Sequence, residues 1–288
     1  MPSLKEEELK NILPKDGPTF EEVKKYLEKY NDEFIVIKCG GSILVDPNLF
    51  KIFIEDIVVL NKLGFNPIIV HGGGKRISKK LGELNIQSNF IKGLRVTDKN
   101  MINIVEDVLI KFNEEIVNAL NNQSCKTRVI TSKECNLITV KPVSDELGFV
   151  GTPTNIKGNA LIKIVKVNEI PVIAPLGLDK NNQTFNINAD TVAGAIAKEL
   201  KARRLMIISD VEGVLDKEKK LIPEINSTKA KELIDQEVVS GGMIPKINNC
   251  LDVASNGVKG VVIIDGRKNH SLLFELLSDK GSGTLIRE

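Results

Sequence analysis

Lys38 ends an apolar, β-branched run, Phe34-Ile35-Val36-Ile37, and stands directly before Cys39-Gly40-Gly41. An ammonium group beside glycines suits a phosphate, because the glycines let backbone N–H groups approach its oxygens while the lysine supplies positive charge. The plainer role is a lysine that ends a strand and reaches solvent. Gly72-Gly73-Gly74 follows a second such run, Pro67-Ile68-Ile69-Val70-His71, and opens a helical stretch. The free N–H groups of a helix start favour an anion. Consecutive glycines there cost conformational entropy that some backbone demand must offset, with a tight turn as the simpler demand.

Arg95 lies in Gly93-Leu94-Arg95-Val96-Thr97 and is one of seven arginines in a chain whose basic residues are mostly lysine. A guanidinium can grip a carboxylate through two parallel hydrogen bonds; a surface salt bridge is the alternative. Asn186-Ile187-Asn188-Ala189-Asp190 gathers two amides and a carboxylate ahead of the apolar helical stretch at residues 191–197. Asp190 suits either a polar site or the helix N-cap. Ser209-Asp210-Val211-Glu212-Gly213-Val214-Leu215 follows another strand-like run and could hold a nucleotide. Gly241-Gly242-Met243-Ile244-Pro245-Lys246 puts a lysine just inside a helix start, where the dipole disfavours it, so a purely structural Lys246 is the weaker reading.

The elements that must position these residues read as repeated strand, glycine loop and helix. Residues 34–38 and 67–71 are buried-strand runs, with helices expected over roughly 48–63 and from Lys75. Residues 125–169 alternate more and carry turn signals, which predicts antiparallel strands and hairpins. Buried strands return at 171–176, 205–209 and 261–264, with a short one at 284–286. Helices are expected at about 190–200, 227–236, after Gly242, and at 271–278. The result is an open, mainly parallel sheet with helices on both faces, whose ligands sit at the carboxyl ends of the strands. Residues 4–15 are polar and helical in pattern. Thr19 and Glu22 fit a capping box, and Phe20, Val23, Tyr26 and Leu27 form an apolar stripe. That stripe needs a partner, either its own domain or another subunit.

Composition excludes several classes. With 40 basic against 38 acidic residues the charge is balanced, so neither nucleic acid nor a membrane surface is an expected partner. Aromatics are 4% with no Trp, so the core must be aliphatic. The four cysteines form no CxxC pair and no metal-spaced cluster, and no metal-ligand set of side chains is expected. There is no apolar leader and no run near the roughly 20 apolar residues that span a bilayer, which points to the cytoplasm. GxxxxGK[ST], a strand-to-helix GxGxxG and GxSxG are all absent. Only two His are present, which disfavours histidine acid–base chemistry and zinc hydrolysis.

Five motifs in order, IKCGGS, VHGGG, GLRVTD, NINADTVAGAIA with SDVEGVL, and GGMIPK, make residues 34–288 resemble the amino-acid kinase family, most closely its branch that phosphorylates N-acetyl-L-glutamate. Each is weak alone, and their order is specific. The resemblance implies an αβα sandwich: a helical, oligomerising extension at 1–33, a lobe binding the acyl amino acid at 34–185, and an ATP lobe at 186–288. It implies ATP with Mg²⁺ as phosphoryl donor and the γ-carboxylate of N-acetyl-L-glutamate as acceptor, in arginine biosynthesis. Lys38 and Lys246 match the lysines at the transferred phosphoryl, and Asp190 matches the aspartate that orients both. Gly40, Gly41, Gly73 and Gly74 match backbone donors to phosphoryl and substrate. Arg95 and Asn186 match the grip on the α-carboxylate. Asp210, Gly213 and Leu215, with the stretch near Val238 to Ser240, match the nucleotide site.

The N-terminal helix resembles that of arginine-sensitive members, in which it interlaces dimers into a hexameric ring. Tyr26, Glu275 and Gly281 match arginine contacts, whereas Val262 stands where many sensitive members carry His. The expectation is a hexamer, a trimer of dimers, inhibited by L-arginine. The competing expectations are a relative acting on another carboxylate, on carbamate or on UMP, and a non-catalytic amino-acid sensor on the same fold. Retention of Lys38, Lys246 and Asp190 argues against the sensor.

Overall fold

A computed structural model of the chain describes residues 6–30 and 32–288. Residues 4 and 5 of the expected N-terminal helix lie outside the described residues; Glu6–Ile12 form α1. Phe20–Leu27 form α2, opened by the capping box anticipated from Thr19 and Glu22: Glu22 N donates to Thr19 Oγ1 at 3.3 Å and Thr19 N to Glu22 Oε2 at 3.0 Å. The apolar stripe of α2 packs on its own chain. Val23 is fully buried, and Phe20, Tyr26 and Leu27 lie against the aliphatic cluster that contains Leu272, Leu273 and Leu276.

Strand β1 (Phe34–Cys39) is followed by α3 (Pro47–Lys62), β2 (Asn66–His71) and α4 (Gly74–Glu83), the alternation read from the glycine-punctuated runs. Asp46 caps α3 by accepting from Asn48 N and Leu49 N, and Pro47 takes the first helical position, where a missing N–H costs nothing. A two-stranded ribbon, β3 (Phe90–Ile91) with β4 (Leu94–Arg95), turns through Lys92 and Gly93, both at positive φ as a tight hairpin demands. Then come α5 (Lys99–Asn121), β5 (Thr127–Ile130), β6 (Ile138–Pro142), β7 (Gly151–Ile156), α6 (Gly158–Lys166), β8 (Ile170–Ile173), β9 (Leu176–Leu178) and β10 (Thr184–Asn186). The remainder is α7 (Ala189–Glu199), β11 (Arg204–Ser209), β12 (Glu224–Ile225), α8 (Ser227–Asp235), α9 (Met243–Ser255), β13 (Val261–Asp265), α10 (Ser271–Leu277) and β14 (Gly283–Ile286).

Eight strands form the main sheet in the order β12-β14-β13-β11-β1-β2-β8-β5. The run from β13 to β5 is parallel throughout, and β14 pairs antiparallel with β13. Alternate side chains feed two aliphatic cores. Val36, Ile68, Leu205 and Ile263 face α7 and α9, while Ile35, Ile37, Ile69, Met206 and Ile264 face α2, α3 and α10. β1 pairs with β11, so one continuous sheet carries residues from either side of position 186.

The expectation of antiparallel hairpins across 125–169 is corrected. Only β6 and β7 form such a pair; β5 is an edge strand of the parallel sheet and residues 158–166 are helical. The helix is fixed by Leu161 and Val165, buried four residues apart on one face. The strand expected at 171–176 is also interrupted. Pro175 has no N–H for a ladder, and the chain leaves β8 there to enter the small sheet β10-β9-β6-β7. No helix among the described residues is long and apolar enough to cross a membrane.

Candidate active site

The carboxyl ends of β1, β2 and β11 lie side by side, Lys38 paired with Val70 and Ile207 across the sheet. Lys38 Nζ reaches Asp190 Oδ1 at 3.0 Å, and Lys246 Nζ donates to Asp190 Oδ2 at 2.8 Å. The Lys38 contact is an ion pair. These side chains are only 12%, 19% and 18% exposed for Lys38, Asp190 and Lys246, which sets the three charges in a site largely shielded from water. Burial alone would raise the Asp190 carboxyl, but the two ammonium groups overcome it and hold the pKa at about 2.

Local structure frees Asp190 for this role. Asn188, not Asp190, caps α7: its Oδ1 accepts from Asp190 N at 2.9 Å and from Thr191 N at 3.2 Å. The Asp190 carboxylate therefore sits in the first helical turn, where the dipole favours it, and points at both lysines. Lys246, in the first turn of α9, gains from Asp190 the anion its own helix end lacks.

Two glycine loops line the cavity beside Lys38. Gly72 N donates to Cys39 O at 2.8 Å and ties one loop to the other. Gly41 has φ +67, and a Cβ there would run into the Asp210 carboxylate. A Cβ on Gly40 would collide with the Lys38 ammonium, and one on Gly73 with Leu109; Gly74 has open space beside it. His71, fully buried, supports the second loop. Its Nδ1 lies 2.9 Å from Gly72 O, and Asn113 Nδ2 donates to Nε2 at 3.2 Å, which puts the ring proton on Nδ1. Burial pushes its pKa down to about 4, so the ring is neutral.

A cavity of about 290 Å³ opens here, lined by Lys38, the glycines 40, 41 and 72–74, Arg95, Asn186 and Asp190 among others. Arg95 is buried at the end of β4. Nη2 donates to Gly74 O at 2.9 Å and to Ser78 Oγ at 2.8 Å, Nη1 donates to Ser88, and the guanidinium stacks over Phe90. Asn186 Nδ2 is 3.4 Å from Thr97 Oγ1. Arg95 and Asn186 thus share one wall with the second glycine loop.

A second cavity, of about 420 Å³, is lined by Asp210, Gly213, Leu215, Val238 to Ser240, Met243 and Arg267. Gly213 has φ +138 and packs tightly on Thr284, whose Oγ1 accepts from Val214 N at 2.8 Å. Burial pushes the Asp210 carboxyl up, but Lys75 and the Ser42 N–H outweigh it and lower its pKa. Among the described residues no group of three or more His, Cys, Asp or Glu side chains converges as metal ligands would.

The three residues matched to an arginine contact lie around the α2–α10 corner. Tyr26 Oη donates to Asp279 Oδ1 at 2.7 Å, a bond that raises the phenol to about 12. Glu275 Oε2 accepts from Ser282 N at 2.6 Å, and burial raises its pKa. Gly281 turns the chain between them with φ +63. Val262 is fully buried in β13.

Sequence reading did not single out Ser42 or Lys75, and it put Asn188 in the polar cluster ahead of α7 without identifying it as the cap. Lys75 carried a signal, since a lysine in the first turn of a helix works against the dipole, as with Lys246.

A model of the amino acid kinase family matches residues 33–265. The chain is 80% identical over 288 residues, all of both chains, to acetylglutamate kinase of Pelagibacter ubique strain HTCC1062. It is 44% identical over 264 residues to acetylglutamate kinase of Campylobacter fetus, 91% of this chain and 94% of that one. Carbamate kinase of Giardia lamblia bound to AMP-PNP superposes with TM-score 0.66 at 16% identity, over 89% of this chain and 98% of that one. N-acetylglutamate synthase of Neisseria gonorrhoeae, in complex with coenzyme A and N-acetyl-glutamate, superposes with TM-score 0.85 at 23% identity over 93% of this chain; this chain spans only 62% of it, and the likeness is one of fold. By its family match and its end-to-end relatives, this chain belongs to the amino acid kinase family.

Proposed function

We propose that this chain transfers the terminal phosphoryl group of ATP to the side-chain carboxylate of N-acetyl-L-glutamate, forming an acyl phosphate in arginine biosynthesis. The observation that carries this is the meeting of Lys38 and Lys246 on Asp190 beside two glycine loops. The acceptor carboxylate is already ionised at neutral pH, so no base has to remove a proton. An acceptor oxygen forms its bond to phosphorus as the bond to the ADP oxygen breaks, and negative charge gathers on the phosphoryl oxygens in between. Lys38, Lys246 and the N–H groups of the glycine loops stabilise that charge. Asp190 holds the two ammonium groups apart and aimed.

Asp190, Asp210 and Glu212, the acidic side chains lining the two cavities, are each held by lysine. Mg²⁺ therefore fits as a companion of the polyphosphate rather than on a carboxylate cage, and it would neutralise phosphate oxygens there. Arg95 and Asn186 suit the α-carboxylate, and the cavity at Asp210, Gly213 and Leu215 suits the nucleoside. Four free thiols, three of them buried, accord with a cytoplasmic enzyme.

The test is ADP release with N-acetylglutamate, aspartate, glutamate, carbamate and UMP, with hydroxylamine trapping of the acyl phosphate. N-acetylglutamate is expected to be the preferred acceptor. Lys38→Ala and Lys246→Ala should each lose about 10²–10³ in turnover with folding intact. Wild-type turnover in both variants defeats the assignment.

The regulatory part of the reading is a hexamer, a trimer of dimers built through α2, inhibited by L-arginine at Tyr26, Glu275 and Gly281. The acidic, half-buried Glu275 suits a guanidinium or amino group. Sedimentation velocity with and without millimolar arginine is the measurement. Dimers alone, with turnover indifferent to arginine, would rule this part out and leave the catalytic part standing.

A further inference from the structure

Lys75 has no part in the chemistry described so far. It stands in the first turn of α4, directly after the second glycine loop, where the helix dipole opposes a cation. Its ammonium nonetheless stays at the site: Nζ lies 2.9 Å from Asp210 Oδ2 and 3.1 Å from Ser42 Oγ. Asp210 Oδ1 meanwhile accepts from Ser42 N at 2.6 Å. Lys75 and Asp210 thus bridge the sheet edge, from the helix after β2 to the loop after β11, across the glycine loop after β1.

The bridge stands between two cavities. Lys75 lines the one that holds Lys38 and Asp190, and Asp210 lines the one with Gly213, Leu215 and Met243. A polyphosphate joining a nucleoside in the second cavity to a phosphoryl group beside Lys38 has to pass this point. The pair is also exposed, at 48% for Lys75 and 33% for Asp210, and an ion pair that water reaches is weak. A polyphosphate as a whole carries more negative charge than the single Asp210 carboxylate, and its oxygens make strong charge-assisted hydrogen bonds. The N–H groups at the start of α4 would share the same anion.

We propose that Lys75 is a third phosphate-binding lysine, parked on Asp210, whose ammonium exchanges that carboxylate for a polyphosphate oxygen when the nucleotide binds. This rests on the kinase reading and adds to it a residue that acts on the nucleotide alone.

The experiment uses the full chain and Lys75→Met. Binding of MgADP is measured by calorimetry without acyl substrate, KM values are measured for both substrates, and adenosine is titrated as an inhibitor. The dissociation constant for MgADP and the KM for MgATP should rise about tenfold or more, while adenosine inhibition and the KM for N-acetylglutamate stay within twofold. Lys75→Arg should recover most of the loss. A KM for MgATP within twofold of wild type overturns the proposal. So does a loss of adenosine affinity in step with MgADP, which would make Lys75 a brace for the Ser42 loop. Wild-type protein that binds MgADP but phosphorylates none of the acceptors defeats the acceptor assignment and leaves this test intact.

Discussion

Asp190 and His71, two titratable groups beside the chemistry, are both shifted further from pH 7 than their ordinary values. Asp190 is held at about 2 against burial by Lys38 and Lys246, and His71 is pushed by burial to about 4. Neither changes charge between pH 6.5 and 8.5. The acceptor carboxylate, ordinarily near pKa 4.3, is ionised throughout that window. Turnover with both substrates saturating should therefore be flat from pH 6.5 to 8.5. His71→Gln should lower the plateau without changing its shape, because the ring's work is to hold the Gly72 carbonyl. A limb near pH 7 that vanishes in His71→Gln would show the imidazole moving a proton and would sink this mechanism. Asp190 has a stability counterpart. Its pKa is depressed on folding, so its contribution is present above 3.8 and lost as pH falls toward 2.

Between elements the most exacting polar contact lies away from the site. His270, at the N-cap of α10, places Nδ1 2.5 Å from Asp56 Oδ1 of α3 and Nε2 3.2 Å from Asp16 Oδ1 of the turn between α1 and α2. Glu55 also faces it electrostatically, and Asn269 Nδ2 donates to Asp16. The Asp56 contact raises the His270 pKa, and burial raises Asp56 to about 6 despite His270. A raised histidine contributes fully below its ordinary 6.5, and that contribution is lost as pH climbs through the folded value. The Asp56 shift has the same sign but acts lower, its contribution being lost as pH rises from 3.8 through about 6, so His270 carries the slope above pH 6. The thermal midpoint should fall from pH 6 to pH 9, and the double variant His270→Asn/Asp56→Asn should lose that slope. Asn suits position 270 because φ there is +53, a conformation Asn tolerates. An unchanged slope in the double variant would refute this clasp.

What could be read in advance divides along the same line. Buried apolar runs disclosed β1, β2 and β11, the first two ending in glycine, and with them the edge where ligands bind, because buried parallel strands and phosphate loops both leave local patterns. The membership of β5 did not show, since Thr127-Arg128-Val129-Ile130 is half-exposed at a sheet edge and alternates like any surface strand. Nor did the cap of α7, because Asn188 and Asp190 can both cap a helix and only the fold decides between them. The Lys75–Asp210 pair joins residues 135 positions apart, and no periodicity reports such a contact.

For the whole molecule the decisive feature is the β1–β11 pairing, which makes two expected lobes share one sheet and two cores. Val36 and Ile68 lie in the same cluster as Leu205 and Ile263, so neither half can lose its packing without exposing the other. Unfolding should therefore be one cooperative transition. Ile68→Ala in the first half and Ile263→Ala in the second, both fully buried, should each lower stability by about 2–5 kcal/mol. The two probes are far-UV circular dichroism, which reads the whole backbone, and tyrosine emission. The chain has two tyrosines, Tyr26 and Tyr30, so emission reports the N-terminal corner alone. Both curves should coincide in urea for wild type and for each variant. If Ile263→Ala shifts circular dichroism while tyrosine emission keeps its wild-type midpoint, the halves unfold separately. The continuous sheet would then not be what holds the catalytic lysines together.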